Sequence, residues 1–193
     1  MNPNYQQGSI NEPSRYDDRV GLGKDYAGQN CTFARTLEIL GERWTLLIVR
    51  DAFYGVRRLG DFLAHLDVPR AVLSDRLETL VEAGVLVRRR YSDSPPRDEY
   101  VLTEAGTELW PVLFQLTAWG ARHLDVGPSV RIFRHIGCGG TLSGPAMCGE
   151  CGALVAPADT TMEPGPGAQF LRTDRVSVAL RERHRILEPL QLG

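Results

Sequence analysis

The chain has 193 residues, 42% of them hydrophobic, and a formal net charge of −2 at pH 7. That length fits one ordinary domain with appendages, and the charge excludes a polycation that binds nucleic acid through a global field. No apolar run approaches the ~18 residues that span a bilayer, and no signal-peptide pattern opens the chain. We therefore expect a cytoplasmic protein with no membrane partner. Its four cysteines would be reduced there, which favours metal ligands, redox thiols or buried small residues over disulfides.

Four short helices are predicted after a polar arm. Residues 1–26 have almost nothing apolar to bury, so they are interpreted as a flexible N-terminal arm. Apolar residues at helical spacing, ended by glycine or proline, then predict the helices. They cover Cys31–Leu40, Glu42–Tyr54, Arg58–Leu66 and Arg70–Ala83.

The fourth predicted helix has two different faces. Leu73, Leu77 and Leu80 lie on one side at ~100° per residue, while Arg70 and Ser74 lie on the other. Two short helices joined by a tight turn, the second exposing small and basic groups near its N-terminus, are typical of a helix-turn-helix. Small side chains permit close approach to the major groove, and arginine binds phosphate or a guanine edge.

A two-stranded wing is predicted next. Val85–Tyr91 and Glu99–Thr103 have strand character, and the connection over residues 92–98 is too long and too rich in proline for a tight hairpin. It fits a projecting wing with Arg97 near its tip, in reach of a minor groove. Residues 57–100 hold eight arginines against eight acids. The interpretation therefore depends on where the arginines lie. The predicted DNA-binding residues are Arg58, Arg70, Ser74, Arg76, Arg88, Arg90 and Arg97.

A long helix is predicted from the N-cap Thr103 to about Leu124, with a kink or a restart at Pro111. Its apolar surface is large. It could close the core, but we favour burial against a second copy, because a two-fold dimer matches a palindromic operator in double-stranded DNA.

The C-terminal third has a different composition. A strand over Val130–Phe133 precedes two ligand pairs, which are separated by nine residues and consist of His135 with Cys138 and Cys148 with Cys151. Four such donors on two knuckles predict a closed, structural Zn²⁺ site of the zinc-ribbon kind. Three alternatives stay open: a hairpin with free thiols, a Cys148/Cys151 dithiol switch, and zinc held by three cysteines. The rest of the chain, residues 169–193, is predicted to be a tail that is partly helical, over about Val176–Leu187, or disordered.

Several short motifs between Cys31 and Leu124 together resemble the HxlR family of winged helix-turn-helix transcriptional regulators. They are Gly41-Glu42-Arg43-Trp44, Arg57-Arg58-Leu59-Gly60-Asp61-Phe62, Leu73-Ser74-Asp75-Arg76-Leu77, Glu82-Ala83-Gly84-Val85-Leu86, Pro95-Pro96-Arg97 and Leu102-Thr103-Glu104-Ala105-Gly106. The resemblance implies a homodimeric DNA-binding regulator whose dimer forms through the first helix and the long helix after the wing. Cys31 matches a position at which some similar regulators sense electrophiles or oxidants. An extension ending in a Gly-Pro-Gly sequence, here Gly165-Pro166-Gly167, is also found in similar proteins.

The sequence thus predicts an α+β protein, mostly helical with a two-stranded wing, plus a small β extension. The predicted units are the arm at 1–26, a DNA-binding and dimerisation domain at 27–126, a zinc-ribbon-like extension at 127–168, and the tail at 169–193. The predicted function is a homodimeric, sequence-specific transcriptional regulator, a repressor, under control of a redox, electrophile or small-molecule signal. A protein-interaction module and a thiol redox protein are the alternatives. No catalytic constellation is visible, so we do not expect an enzyme.

Overall fold

The structure is a computed structural model that describes residues 26, 28–125 and 127–192. The predicted flexible arm over residues 1–26 falls outside this range, apart from Tyr26. None of the helices in the described ranges combines the length and the apolarity that a membrane crossing requires.

Four helices open the described part of the chain. They are α1 (Thr32–Leu40), α2 (Thr45–Phe53), α3 (Leu59–Leu66) and α4 (Arg70–Glu82). All four predicted helices are present. Helix α2 begins later than the predicted Glu42, because residues 42–44 form a turn closed by a hydrogen bond from the Thr45 N–H to the Glu42 carbonyl (3.0 Å).

Helix α4 follows the predicted pattern of burial. Leu73, Leu77 and Leu80 are fully buried and hold the helix against the core. Pro69 lies at the N-cap of α4, one residue before the predicted first helical position, with φ of −56°. Gly84 ends the helix in the left-handed conformation, with φ of 71°, which a residue without Cβ adopts at no steric cost.

The wing consists of β1 (Leu86–Asp93) and β2 (Pro96–Leu102), paired antiparallel. The prediction of a connection too long for a tight hairpin is wrong. The ladder shifts register between Arg90 and Ser92, which lets β1 continue until Asp93 pairs with Pro96. Prolines are tolerated at this position because the end of a two-stranded hairpin requires few ladder donors.

The long helix after the wing is divided in two. Thr103 caps α5 (Glu104–Thr107) by accepting a hydrogen bond from the Gly106 N–H (3.1 Å). Helix α6 (Trp110–His123) then begins, with Pro111 in its first turn, where a missing N–H costs no helical hydrogen bond. The predicted restart at Pro111 is confirmed.

The C-terminal third consists of two small sheets and one short helix. Strand β3 (Arg131–His135) lies one to two residues beyond the predicted strand. The remaining elements are β4 (Leu142–Ser143), β5 (Met147–Cys148), a 3₁₀ turn at Pro157–Asp159, β6 (Thr160–Pro164), α7 (Arg175–Ala179) and β7 (His184–Arg185). One sheet has the order β3-β6-β7, and the other pairs β4 with β5. The predicted helix over Val176–Leu187 is therefore too long, because a strand replaces its second half.

The core joins the N-terminal helices to the last residues of the chain. Val176, Leu180 and Ile186 are fully buried and belong to the same hydrophobic cluster as Phe53 and Phe62 of α2 and α3. A second feature, here named the aromatic column, runs from that cluster toward the small sheets. It consists of Phe53, Trp110, Phe114 and Phe133, whose successive ring centroids lie 4.6–5.0 Å apart. The rings of Trp110 and Phe133 are also in contact, with centroids 5.5 Å apart. These contacts fix the C-terminal third on the winged helix.

Candidate nucleic-acid interface and metal centre

The N-terminal turns of α4 present small and basic side chains to solvent. Arg70, Ala71 and Ser74 are exposed, and Asp67 turns the chain between α3 and α4 in the left-handed conformation. Arg70 makes no ion pair with any residue that the structure describes. The exposed face therefore offers a free guanidinium beside side chains small enough for close approach to a groove.

Arg76 and Arg90, two of the predicted DNA-binding residues, are held by carboxylates. Arg76 pairs with Glu42 (3.6 Å) and Asp75 (3.2 Å), and 22% of its side chain is exposed. The Nε of Arg90 donates to Asp98 across the wing at 2.7 Å. Each guanidinium would have to leave an acid before it bound a phosphate.

Arg88 and Arg97 of the wing are exposed and make no ion pair among the described residues. Arg97 pairs with Ser92 in the ladder. It therefore lies close to the turn over residues 94–95, at the tip of the wing. Arg58, the N-cap of α3, is also exposed, and its Cζ lies 4.5 Å from the ring centroid of Tyr91. Tyr91 thus orients Arg58 beside the wing by cation–π attraction, a contact that the sequence analysis missed.

Helix α6 carries an apolar face that no other described residue of the chain covers. Val112, Leu116 and Trp119 are each about half exposed, between 46% and 53%, and Phe33 of α1 is 70% exposed. Contiguous apolar surface of this kind is typical of an interaction site. These are the two helices that the resemblance assigned to the dimer.

The four predicted metal ligands are brought together. Their donor atoms all lie within 4.8 Å of one another. His135 Nδ1 lies 3.3 Å from Cys138 Sγ and 3.4 Å from Cys151 Sγ, and Cys138 Sγ lies 3.4 Å from Cys148 Sγ. With metal–sulfur bonds of ~2.3 Å, the sulfurs of a tetrahedral zinc site lie about 3.8 Å apart. The cluster therefore matches a four-coordinate metal in donor type and spacing.

The backbone around the second pair of predicted ligands favours the thiolate form of Cys148. The Cys151 backbone N–H, assisted by that of Glu150, lowers the pKa of Cys148 to about 6. The Gly140 N–H acts on Cys138 in the same direction, but sharing a hydrogen bond with the Cys148 sulfur raises the pKa of Cys138 on balance. A metal ion bound between the sulfurs would replace this shared hydrogen bond, because a metal ligates the deprotonated form of each thiol.

The ligand cluster is attached to the aromatic column. Buried Leu142, Cys148 and Val155 form a separate small core, which packs against Phe114 and Phe133. Three side chains are few for an independent fold, so this extension depends on its contact with the column and on the ligand cluster.

Cys31 is not part of this cluster. It is exposed and forms the N-cap of α1, without a side-chain hydrogen bond to the helix. An open hollow of about 380 Å³ surrounds it, lined by residues 28–32 and Arg35.

A buried polar network behind α3 was not predicted. Asp51 is fully buried and accepts a hydrogen bond from Arg50 (2.8 Å), and its other oxygen lies 2.7 Å from His65 Nδ1. The sequence gives no local signal for this contact, because Asp51 and His65 are 14 positions apart in the chain. The C-terminal segment, residues 169–192, also contacts α3 through an ion pair between Arg175 and the buried Asp61.

Comparison with known proteins agrees with this geometry. A family model described as HxlR-like helix-turn-helix matches residues 39–127. The chain is 46% identical over 135 residues to Rv3095 of Mycobacterium tuberculosis H37Rv, named an uncharacterized HTH-type transcriptional regulator, with 69% of this chain and 85% of the relative covered. It is 32% identical over 108 residues to YdeP of Bacillus subtilis 168, which carries the same description, with 54% and 84% covered.

A solved structure shows the same architecture. PA1607, described as a candidate transcription factor, superposes with a TM-score of 0.51 at 32% sequence identity, over 61% of this chain and 92% of that one. The helices, the wing and these relatives together establish that the chain belongs to the HxlR-like helix-turn-helix family of transcriptional regulators.

Proposed function

We propose that this regulator binds double-stranded operator DNA as a homodimer, with the N-terminal turns of α4 in the major groove and the wing beside it. The observation that carries the proposal is a set of exposed arginines that make no ion pair within the part of the chain the structure describes, Arg70 on α4 and Arg88 and Arg97 on the wing. Ser74 is close enough to the N-terminus of α4 to contact a base edge or a phosphate.

The remaining predicted residues take supporting roles in this proposal. Arg58, stacked on Tyr91, binds a backbone phosphate beside the wing. Arg76 and Arg90 keep their acids in the free protein and contribute less to affinity than the unpaired arginines.

Dimerisation through α1 and α6 is supported by the exposed apolar face on those helices. A two-fold dimer presents two copies of α4 to two half-sites, so the operator would be palindromic. Occupation of such a site excludes other proteins from the same DNA, which supports repression. Because a DNA-binding regulator must reach the chromosome, the proposal includes a cytoplasmic location.

The ligand cluster is proposed to hold one structural Zn²⁺, with His135, Cys138, Cys148 and Cys151 as its ligands. Four protein donors leave no open position, which favours a structural over a catalytic role. The metal would replace the hydrophobic core that the extension lacks.

Control of DNA binding by an oxidant or electrophile is proposed to enter at Cys31, whose thiol is exposed at the start of the dimer helix α1.

Gel-shift titration on the intergenic DNA upstream of the gene tests the function. We expect binding that falls steeply with salt, and a slope that decreases by about one for each of Arg70→Ala and Arg97→Ala. Arg183→Ala, an exposed arginine of the C-terminal segment, is the matched control and should bind like the wild type. Absence of salt-sensitive binding would contradict the proposal and favour an interaction module. With oxidant present, Cys31→Ser should bind unchanged where the wild type responds.

A further inference from the structure

A cleft of about 360 Å³ opens between α3 and the C-terminal segment, and its lining includes none of the proposed DNA-binding residues or metal ligands. Its walls include His65 of α3, Val130 and Arg131 at the start of β3, and Phe170 and Arg172 before α7. The volume lies in the range of small-molecule sites, which are ~300–1,000 Å³.

One wall of the cleft depends on the Gly-Pro-Gly sequence. The Gly165 and Gly167 N–H groups donate to the carbonyls of Val130 and Ser129, each at 3.0 Å. A Cβ on Gly165 would collide with the Ser129 carbonyl oxygen, and one on Gly167 with that of Pro128. The two glycines therefore let the backbone approach closely enough to place residues 168–172 along the cleft.

One of the two arginines that line the cleft has no acidic partner among the described residues. Arg131 is half-buried, and its Nη1 donates to the Leu180 carbonyl, but it makes no ion pair within the described part of the chain. Burial lowers the pKa of its guanidinium, although the nearby Tyr54 and Asp51 act in the opposite direction. Asp51 does not compensate Arg131 by direct contact, because its two oxygens are taken by Arg50 and His65.

Arg172 adds a second guanidinium at the rim. Its Nη2 donates to the Ala64 carbonyl of α3 (2.7 Å), and its Nε forms an ion pair with Asp174 (3.1 Å), which offsets part of its charge. Beside the two arginines, Val130 and Phe170 expose more than half of their apolar surface. The cleft thus combines one guanidinium without an acidic partner among the described residues, Arg131, and a second one shared with Asp174, with an apolar and aromatic lining.

We propose that this cleft binds a small aromatic carboxylate, with the carboxylate between Arg131 and Arg172 and the ring against Phe170 and Val130. Arginine binds carboxylates in a planar, bidentate geometry, and the ring contact adds apolar burial. Because Arg172 also holds α3, the bound anion ties the C-terminal segment to the first helix of the helix-turn-helix. The site is separate from DNA binding and is measured on the DNA-free protein.

Isothermal titration calorimetry on the full chain tests the site, with benzoate, phenylacetate and cinnamate as probes. We expect saturable binding of at least one of them. Its uncharged amide and inorganic phosphate should each bind at least about tenfold more weakly, because the first lacks the charge and the second lacks the ring. Arg131→Gln and Arg172→Gln should each weaken the carboxylate about tenfold, and the matched control Arg183→Gln should leave it unchanged.

Circular dichroism of each variant separates lost binding from lost folding. If Arg131→Gln does not fold, Arg172→Gln alone carries the test, since that side chain is 51% exposed. The proposal is overturned if none of the three carboxylates binds, if the amide or phosphate binds as tightly, or if folded Arg172→Gln binds like the wild type.

Discussion

At the scale of single residues, the contacts of each side chain determine which of the predicted binding roles the structure supports. The type and spacing of the four metal ligands are enough to predict that they meet, because each knuckle is local. By contrast, two of the acids that hold Arg76 and Arg90, Glu42 and Asp98, could not be identified from the sequence. Glu42 lies 34 positions before Arg76 in the chain, and Asp98 reaches Arg90 only through the register of the wing. A sequence identifies which residues are arginine, whereas pairing in the fold determines which arginines are free.

Cys148→Ser is expected to abolish metal binding and to unfold the extension locally. Cys148 is both a proposed metal ligand and one of three side chains in the small core, so its loss would remove both supports. Metal analysis of purified protein should give about one zinc per wild-type chain and none for the variant. Hydrogen exchange over residues 135–155 should rise in parallel.

Cys31→Ser is the matched control for that experiment, because it removes a thiol outside the cluster. It should keep its zinc and its exchange protection. Wild-type protein without stoichiometric metal, or a Cys148→Ser variant that retains it, would contradict the structural zinc site.

At the scale of elements, periodicity predicts the helices well and the last residues poorly. Helices α1 to α4 each present an apolar stripe long enough to identify. Val176, Leu180 and Ile186 also look like one helical stripe in the sequence, but Ile186 follows a strand that pairs with β6. Helix α7 and strand β7 are too short to show a hydrophobic periodicity in the sequence. Their contacts with other elements of the fold therefore specify them.

Trp119→Glu on helix α6 is expected to dissociate the proposed homodimer. The indole is 53% exposed in the single chain, and a charge at a buried apolar interface would cost about 3 kcal/mol, or roughly a hundredfold in the dissociation constant. Sedimentation equilibrium measures the change. Leu171→Glu, at a leucine that is 80% exposed elsewhere, is the control and should remain dimeric. Equal behaviour of the two variants would exclude α6 from the interface.

Strand β7 gives the stability a pH dependence. Burial lowers the pKa of His184 below 6.5, and its Nε2 is buried without a hydrogen-bond partner in the described part of the chain. The unfolded chain therefore takes up this proton first as the pH falls. Stability should be highest above about pH 6.5 and should decrease below it, until the pH has passed the folded pKa.

His184→Gln should lose less stability than the wild type between pH 7 and pH 5. Chemical denaturation of both proteins at several pH values measures the difference, and any acid release of metal affects both alike. Parallel curves would show that His184 does not contribute.

At the scale of the whole molecule, the C-terminal segment is part of the winged helix rather than an attachment. Its apolar residues share one core with α2 and α3, and Arg57 donates to the Leu187 carbonyl at 2.8 Å. The sequence could not predict this, because the partners are separated by more than a hundred residues and no local pattern records them. The predicted boundary between the extension and the tail, at residues 168 and 169, remains a prediction from the sequence.

Arg175→Ala tests this integration. It leaves the Asp61 carboxylate buried in α3 without its cation. We expect a loss of about 1–3 kcal/mol in the free energy of unfolding, below the value for a fully buried pair because the Arg175 side chain is 49% exposed. Equilibrium denaturation measures it, and Arg175→Ala with Asp61→Asn should recover part of the loss. An additive double variant would show that the two side chains are not coupled.

The aromatic column gives the molecule an optical reporter of its own. Trp110 is 3% exposed and lies against Phe114 and Phe133, the same rings that support the small core around Cys148. With Trp44 and Trp119 replaced by phenylalanine, all tryptophan emission would come from the point where the extension meets the winged helix. Its wavelength and intensity would then follow metal loading in real time, without a label and without DNA.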